Sequence, residues 1–377
     1  NAAFRGPRII FGYYEGGLIC ELLIGRYGFP PVIRLLEAFD KGLDLDQALK
    51  TVYDLTPEEL DFQLQKLVDV KLKDLYIEPR WSSNLLLRER LRLASKVPGD
   101  PAQRAEWQAA WCTQAWGSWQ QGRQIDAEEA LRQMRRAGED SPRAKILLGN
   151  MAIQAGQPQR AIESWEEAFA AGAEDFHARI ALGNLRLGLG ETEEAEKQFL
   201  AAERAFPGFA DADFAAELRL VSLYIDSDRR DDAMLAAERY VIFDAGSYQW
   251  RRRVAAWHAE NERWERAAFL LHEANEIDPF SRKLHMEWAT ALEHLGQFEE
   301  ALREYEVVAI VPVELDLDSG VPLSEPEVAA LFGKRLNCLV ELGRLDEAET
   351  LIEECADGGI TSPEIDEASE RLLEARG

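Results

Sequence analysis

Side chains able to do chemistry are few and far apart in this 377-residue chain. Its five histidines all lie beyond residue 176, and no Ser-His-Asp, Cys-His or phosphate-loop pattern links them to a nucleophile. The cysteines Cys20, Cys112, Cys338 and Cys355 form no CxxC pair and sit among apolar residues, which predicts buried free thiols rather than a metal clip or a disulfide. Asp316-Leu317-Asp318-Ser319-Gly320 spaces its carboxylates as a calcium loop does. Such a loop needs another Asp or Asn before its glycine and a glutamate at a set distance beyond it, so calcium is not expected there. What does recur is the amide: Asn150, Asn184 and Asn337 each stand eleven residues before an alanine, with Ser222 and Thr290 in comparable places. Side-chain amides at regular spacing can hydrogen-bond an extended peptide, whose donors and acceptors also repeat.

Those alanines belong to a longer series, Ala127, Ala161, Ala195, Ala233, Ala267, Ala301 and Ala348, in which four of six intervals are 34 residues. Five residues ahead of it run Gly122, Gly156, Gly190, Gly296 and Gly343, with Asp228 and Glu262 in the same slot of the two units that lack the glycine. The spacing predicts a helix, a tight turn and a second helix, stacked on copies of itself because no single hairpin can bury its own apolar face. Leu148, Gly149, Trp165 and Ala168 of one unit return as Leu182, Gly183, Phe199 and Ala202 of the next, placing small residues where helices touch and aromatic rings in the gaps between them. The two longer intervals place insertions around 208–213 and 313–325. A final helix, about Ser362 to Arg376, mixes Ile365, Ala368 and Leu372 with charged residues, as a cap on the array should.

This pattern resembles the tetratricopeptide repeat, which implies an all-α fold: an α-solenoid of about seven hairpins, preceded by a small helical region. In that family the first helices of successive hairpins line a groove that holds a peptide. Carried over residue by residue, the groove would present Asn150, Asn184 and Asn337. Arg143, Lys145, His177 and Arg179 would supply positive charge, and Ile146 and Ile180 would occupy a neighbouring exposed slot. The lysine position of the family's carboxylate clamp is held here by Ile146 and Ile180, so an acidic C-terminal peptide is not the expected groove ligand. The amides could equally bond between neighbouring helices. Trp107, Trp111, Trp116 and Trp119, at helical spacing, read as core, and Arg251-Arg252-Arg253 as interhelical or solvated charge.

Residues 13–75 lack the register but are helical in pattern. Leu18, Ile19, Leu22 and Leu23 form an apolar stripe ending at Gly28, Pro30-Pro31 opens a helix carrying Ile33, Leu36 and Phe39, and Thr56-Pro57-Glu58-Glu59 is a capping box. Tyr14-Glu15-Gly16-Gly17-Leu18, Arg26-Tyr27-Gly28-Phe29, Asp46-Gln47-Ala48-Leu49 and Thr56-Pro57-Glu58-Glu59-Leu60 together resemble the C-terminal helices of gluzincin-type zinc metallopeptidase domains. That resemblance would make Tyr14 a catalytic residue, its phenol stabilising the oxyanion of a tetrahedral intermediate. The zinc motif His-Glu-x-x-His is absent from the chain, and His272-Glu273 has no histidine at the required spacing. Zinc is therefore expected only in an intact parent protein, and no cofactor in this chain. The start Asn1-Ala2-Ala3, without methionine, reads as a chain whose preceding residues have been removed, so the lack of a leader carries no weight.

The expected division is a helical remnant of a metallopeptidase-like domain over 1–80, a linking helix over 81–103, the array over 104–358 and a capping helix over 359–377. A formal charge of −26 opposes binding to phosphate backbones, and no run of apolar residues is long enough to span a bilayer, so neither nucleic acid nor membrane insertion is expected. The compartment, cytoplasmic or exported, stays open. The expected function is a protein-interaction scaffold whose partner is a protein or peptide; the alternative is the substrate-recruiting C-terminal part of a zinc metallopeptidase.

Overall fold

The computed structural model describes residues 9–73, 75–82, 86, 96–138, 140–316 and 318–376. These residues form nineteen α-helices and no strand, and the chain divides into two units, Asn1–Glu78 and Pro79–Gly377.

The first unit holds α1 (Ile9–Tyr27), α2 (Pro30–Asp40), α3 (Leu45–Tyr53) and α4 (Pro57–Leu72). Helix α1 stops at Gly28, whose φ of 79° lies in the left-handed region. Both α3 and α4 begin with reciprocal capping boxes. Asp44 and Gln47 exchange backbone and side-chain bonds of 2.9 and 3.2 Å, and Thr56 and Glu59 do the same at 3.2 and 2.9 Å. Leu23, Leu49, Tyr53, Leu55 and Leu60 make the small core. The apolar residues expected to bury α2 do not: Ile33, Leu36 and Phe39 are exposed. The buried stripe of α2 is Pro31 and Ala38 with the half-buried Leu35, at i, i+4 and i+7, which turns the other stripe to solvent. Cys20 is also exposed, against expectation, whereas Cys112, Cys338 and Cys355 are buried; all four are free thiols.

In the second unit α5 spans Pro101–Gln120; the linking helix expected over 81–103 lies mostly outside the described residues, among which Leu86 is helical. Seven hairpins follow among the described residues: α5 with α6 (Gln124–Arg135), α7 (Pro142–Gln154) with α8 (Pro158–Ala170), α9 (Phe176–Gly188) with α10 (Thr192–Ala205), α11 (Ala216–Asp226) with α12 (Arg230–Phe243), α13 (Tyr248–Glu260) with α14 (Trp264–Asn275), α15 (Arg282–His294) with α16 (Phe298–Ile310), and α17 (Glu325–Glu341) with α18 (Leu345–Asp357). Helix α19 (Pro363–Arg376) packs on α17 and closes the end with Ile365, Ala368 and Leu372 buried.

Every hairpin turns by the same device. Gly122, Gly156, Gly190, Asp228, Glu262, Gly296 and Gly343 all have positive φ, between 57° and 79°. The next residue then donates its backbone N–H back across the turn, as Gln157 does to Ala152 at 2.9 Å and Arg263 to His258 at 2.9 Å, which is the Schellman closure. The seven register alanines are completely buried. Opposite them the rings of Trp165 and Phe199 sit on bare backbone: a Cβ on Gly149 would lie 2.3 Å from the indole Nε1, and one on Gly183 would lie 2.5 Å from Phe199 Cε1. Trp107 and Trp116 are buried and Trp111 and Trp119 half-buried, paired edge-on at ring separations of 6.0 and 5.8 Å, so this aromatic run is core.

The longer insertion is tethered. Arg252 holds Glu287 through two hydrogen bonds of 3.0 and 2.8 Å and Asp318 through one of 2.6 Å, and Ser281 and the Tyr248 hydroxyl also donate to Asp318. Asp316, buried beside Arg282, accepts from Ser319 at 2.6 Å. The aspartates that looked like a calcium loop thus pin 313–325 to α13 and α15. Arg251 likewise donates to the carbonyls of Asp244 and Val241 at 2.7 and 2.8 Å, so two of the three consecutive arginines are interhelical ties.

Candidate peptide-binding face

Successive first helices approach one another directly, α5 with α7 and α7 with α9, so their neighbouring faces form one continuous surface. On α7 the row Arg143, Ile146, Asn150 and Ile153 runs along that surface at helical spacing; on α9 the row is His177, Ile180, Asn184 and Leu187. The α7 row starts with Arg143 on Thr113 of α5 and both rows end exposed, at Ile153 and Leu187.

The residues predicted for the groove divide along these rows. Ile146 and Ile180 are buried, correcting the expectation that they lie in an exposed slot. Ile146 belongs to the core cluster that also holds Ala178 and Leu182 of α9, and Ile180 to the one that also holds Ala215 and Ala216 at the start of α11. Asn150 is half-buried and its Oδ1 accepts from Trp165 Nε1 at 3.0 Å, a bond within its own hairpin. Asn337 accepts from Arg371 of the capping helix at 3.1 Å. Asn184 is exposed, and no hydrogen bond among the described residues engages its side chain.

The expected positive charge is largely spent inside the array. Arg143 donates to Thr113 at 3.0 Å, and Lys145 pairs with Glu167 at 2.8 Å. Arg179 grips Glu174 through two bonds of 3.1 and 2.9 Å, bonds Gln198 at 2.7 Å and lies 3.5 Å over the Phe169 ring. His177 packs against the rings of Phe176, Phe209 and Phe214, and that desolvation, with repulsion from Arg80, lowers its pKa. These four residues therefore order the first helices instead of forming a cationic groove.

The feature that sequence reasoning missed is apolar. Ile153, Leu187 and Ile225 are 37%, 38% and 53% exposed, each three residues after Asn150, Asn184 and Ser222. They repeat in the same register as the buried alanines, one on each of α7, α9 and α11. One helical turn thus shows a polar group followed by an aliphatic one, three times over. The signal was present in the chain, since the apolar residue recurs at a fixed offset from the amide.

Residues 112–175 and 146–210 match the family described as the tetratricopeptide repeat. The matched span covers the hairpins that carry Asn150, Ile153, Asn184 and Leu187. Among solved structures, the chain is similar to a tetratricopeptide repeat protein from Parabacteroides merdae ATCC 43184, at 17% identity over 71% of this chain and 98% of that one, with a TM-score of 0.33. MamA is 14% identical over 51% and 95% of the two chains, with a TM-score of 0.31. YrrB, described as a TPR protein with an unusual peptide-binding site, is 17% identical over 45% and 84%, with a TM-score of 0.30. No curated protein matches the chain. Among the described residues no group of three or more His, Cys, Asp and Glu side chains is placed to hold a metal, and no helix is long and apolar enough to cross a membrane.

Proposed function

We propose that this chain is a protein-interaction scaffold whose first-helix face on α7, α9 and α11 binds a segment of another protein. One observation carries the reading: the exposed aliphatic ladder Ile153, Leu187 and Ile225, set beside the unengaged amide of Asn184. Aliphatic side chains at one residue per repeat give a bound segment apolar anchors, and the amide gives its backbone a hydrogen-bonding partner. Asn150 supports α7 of this face through Trp165, and Asn337 ties α17 to the capping helix. The recognised segment carries apolar side chains in succession and does not depend on a terminal carboxylate, because the cations near the face are already paired.

The test is a peptide array probed with the full chain, followed by anisotropy titration of the peptides that bind. Leu187→Asp with Ile225→Asp, at exposed positions that leave the core intact, is expected to weaken binding at least tenfold, equivalent to about 1.4 kcal/mol. Equal binding by the double variant would refute this face as the site. The alternative, that residues 1–80 are the tail of a peptidase-like domain, rests on the sequence resemblance alone; Tyr14, on which its chemistry would turn, is 67% exposed on α1.

A further inference from the structure

Sixteen residues before each register alanine the seven hairpins hold Trp111, Lys145, Arg179, Glu217, Arg251, His285 and Phe332. Where this slot is basic, its side chain ties the first helix to the second helix of the same hairpin. Lys145 reaches Glu167 at 2.8 Å, Arg179 reaches Gln198 at 2.7 Å and Arg251 reaches Glu273 at 3.4 Å. Two of them also hold the linker before their own helix, Arg179 through the Glu174 carboxylate and Arg251 through the Asp244 carbonyl. His285 makes the same two ties in the sixth hairpin. Its Nδ1 lies 2.6 Å from Glu304 Oε2 on α16, and its Nε2 lies 2.9 Å from the Pro279 carbonyl oxygen in the linker before α15.

Both ring nitrogens of this buried side chain therefore face oxygens that accept. A neutral imidazole has one N–H and would turn a lone pair on the other oxygen, whereas imidazolium donates twice. His258 gives the contrast. Its Nε2 lies 3.1 Å from Glu238, but its Nδ1 is buried with no partner among the described residues, and burial lowers its pKa. At His285 burial also opposes the charge, yet the bonds to Glu304 and the Pro279 carbonyl, with the field of Asp278, outweigh it and raise the pKa. The charged groups facing the ring are thus Glu304 from α16 and Asp278 from the linker after α14. Arg282, one turn earlier on α15, is turned to the Val311 and Val321 carbonyls and to Asp316.

The geometry points to His285 as a protonated latch of the sixth hairpin: its imidazolium clamps the start of α15 to α16 and to the linker, and loss of the proton releases the clamp. The same turn carries Ser281, which donates to Asp318, and Arg282, which donates to the Val321 carbonyl, so the latch also steadies the tether of 313–325. The folded chain binds this proton more tightly than the unfolded one. Its contribution is therefore full below the unfolded histidine pKa and is lost as pH rises through the folded value. The sixth hairpin loosens over a range in which the second, third and fifth, tied by Lys145, Arg179 and Arg251, keep their charge.

The test uses the full chain with 15N-labelled histidine. NMR is expected to show His285, assigned by the signal missing in His285→Gln, with both ring nitrogens protonated at about pH 6 and one at about pH 8.5. Glu304→Gln, which keeps the imidazole and removes its anion, should move that titration to lower pH. Hydrogen exchange read by mass spectrometry, corrected for the intrinsic effect of pH, should show the opening of α15 and α16 rising about tenfold over the same range, as loss of one charge-assisted hydrogen bond implies, with α7 and α8 unchanged. That wild-type comparison stands whether or not either variant folds. A ring with a single proton at about pH 6, a titration unmoved by Glu304→Gln, or equal opening of α15 and α16 at the two pH values would overturn the proposal.

Discussion

Replacing Gly149 by alanine tests the packing rule of the array against the intrinsic preference of the helix. In isolation the substitution favours α7 by about 1 kcal/mol, because alanine is the better helix former. In the hairpin it puts a methyl group 2.3 Å from Trp165 Nε1 and 2.4 Å from Cδ1. Ordinary carbon contact is about 3.5 Å, so the indole must retreat by about 1 Å from a seat where it is almost wholly buried. Overpacking of this kind costs about 1–3 kcal/mol. The retreat also pulls Nε1 from the Ile146 carbonyl and Asn150 Oδ1, which it now reaches at 3.2 and 3.0 Å. Leaving those groups unsatisfied costs a further 1–3 kcal/mol or so. Net of the helix gain, Gly149→Ala is expected to destabilise by about 1–5 kcal/mol. Denaturant unfolding followed by circular dichroism measures the loss, and hydrogen exchange should place it in α7 and α8, since stacked hairpins need not unfold as one unit. Adding Trp165→Leu should recover part of it by vacating the space. A Gly149→Ala protein as stable as wild type would show that the ring is not seated on the glycine, and Gly183→Ala against Phe199 is the independent repeat.

Other expectations concern turn strain, buried charge and the tethered loop. Glu262→Gly should raise stability by about 1 kcal/mol, because a non-glycine residue held at a φ of 57° carries a left-handed penalty that glycine lacks, and a fall in melting temperature would contradict this. Burial raises the pKa of Glu217, so the folded chain holds that proton more tightly than the unfolded one. The resulting penalty is absent below the unfolded carboxyl pKa and grows as pH rises through the folded value. Glu217→Gln should accordingly raise the melting temperature near pH 7 and much less near pH 4, whereas destabilisation at pH 7 would mean that the carboxylate is firmly paired. Asp318→Asn removes one of the two carboxylates on the largely buried Arg252, which keeps Glu287, and should cost about 1.5 kcal/mol while opening 313–325 to limited proteolysis; unchanged cleavage would show that the loop is held elsewhere.

The hairpin stack was legible because its signals are local and repeated. Seven alanines that must all be buried and seven turn positions that must all be left-handed appear at fixed offsets, and even Asp228 and Glu262, which break the glycine rule, were identifiable by position. What spacing alone does not settle is which neighbour covers a given helical face. Ile146 and Ile180 share a row with Asn150 and Asn184, yet they are buried in the core clusters. Ile33 and Leu36 make a good apolar stripe, yet Pro31 and Ala38 are buried instead. Asp318 finds Arg252 across 66 residues of chain, a pairing with no periodic trace. The exposed ladder Ile153, Leu187 and Ile225 was readable in principle, but an aliphatic residue at helical spacing reads first as core.

The claim that the first-helix face receives a partner segment is tested most directly by isoleucine methyl NMR of the full chain during titration with an array-selected peptide. The methyl resonances of Ile153 and Ile225 should shift or broaden in step with binding, while those of Ile242 and Ile310, exposed on second helices, stay fixed. Saturable binding that moves Ile242 or Ile310 and leaves Ile153 and Ile225 unchanged would place the site elsewhere and contradict the account.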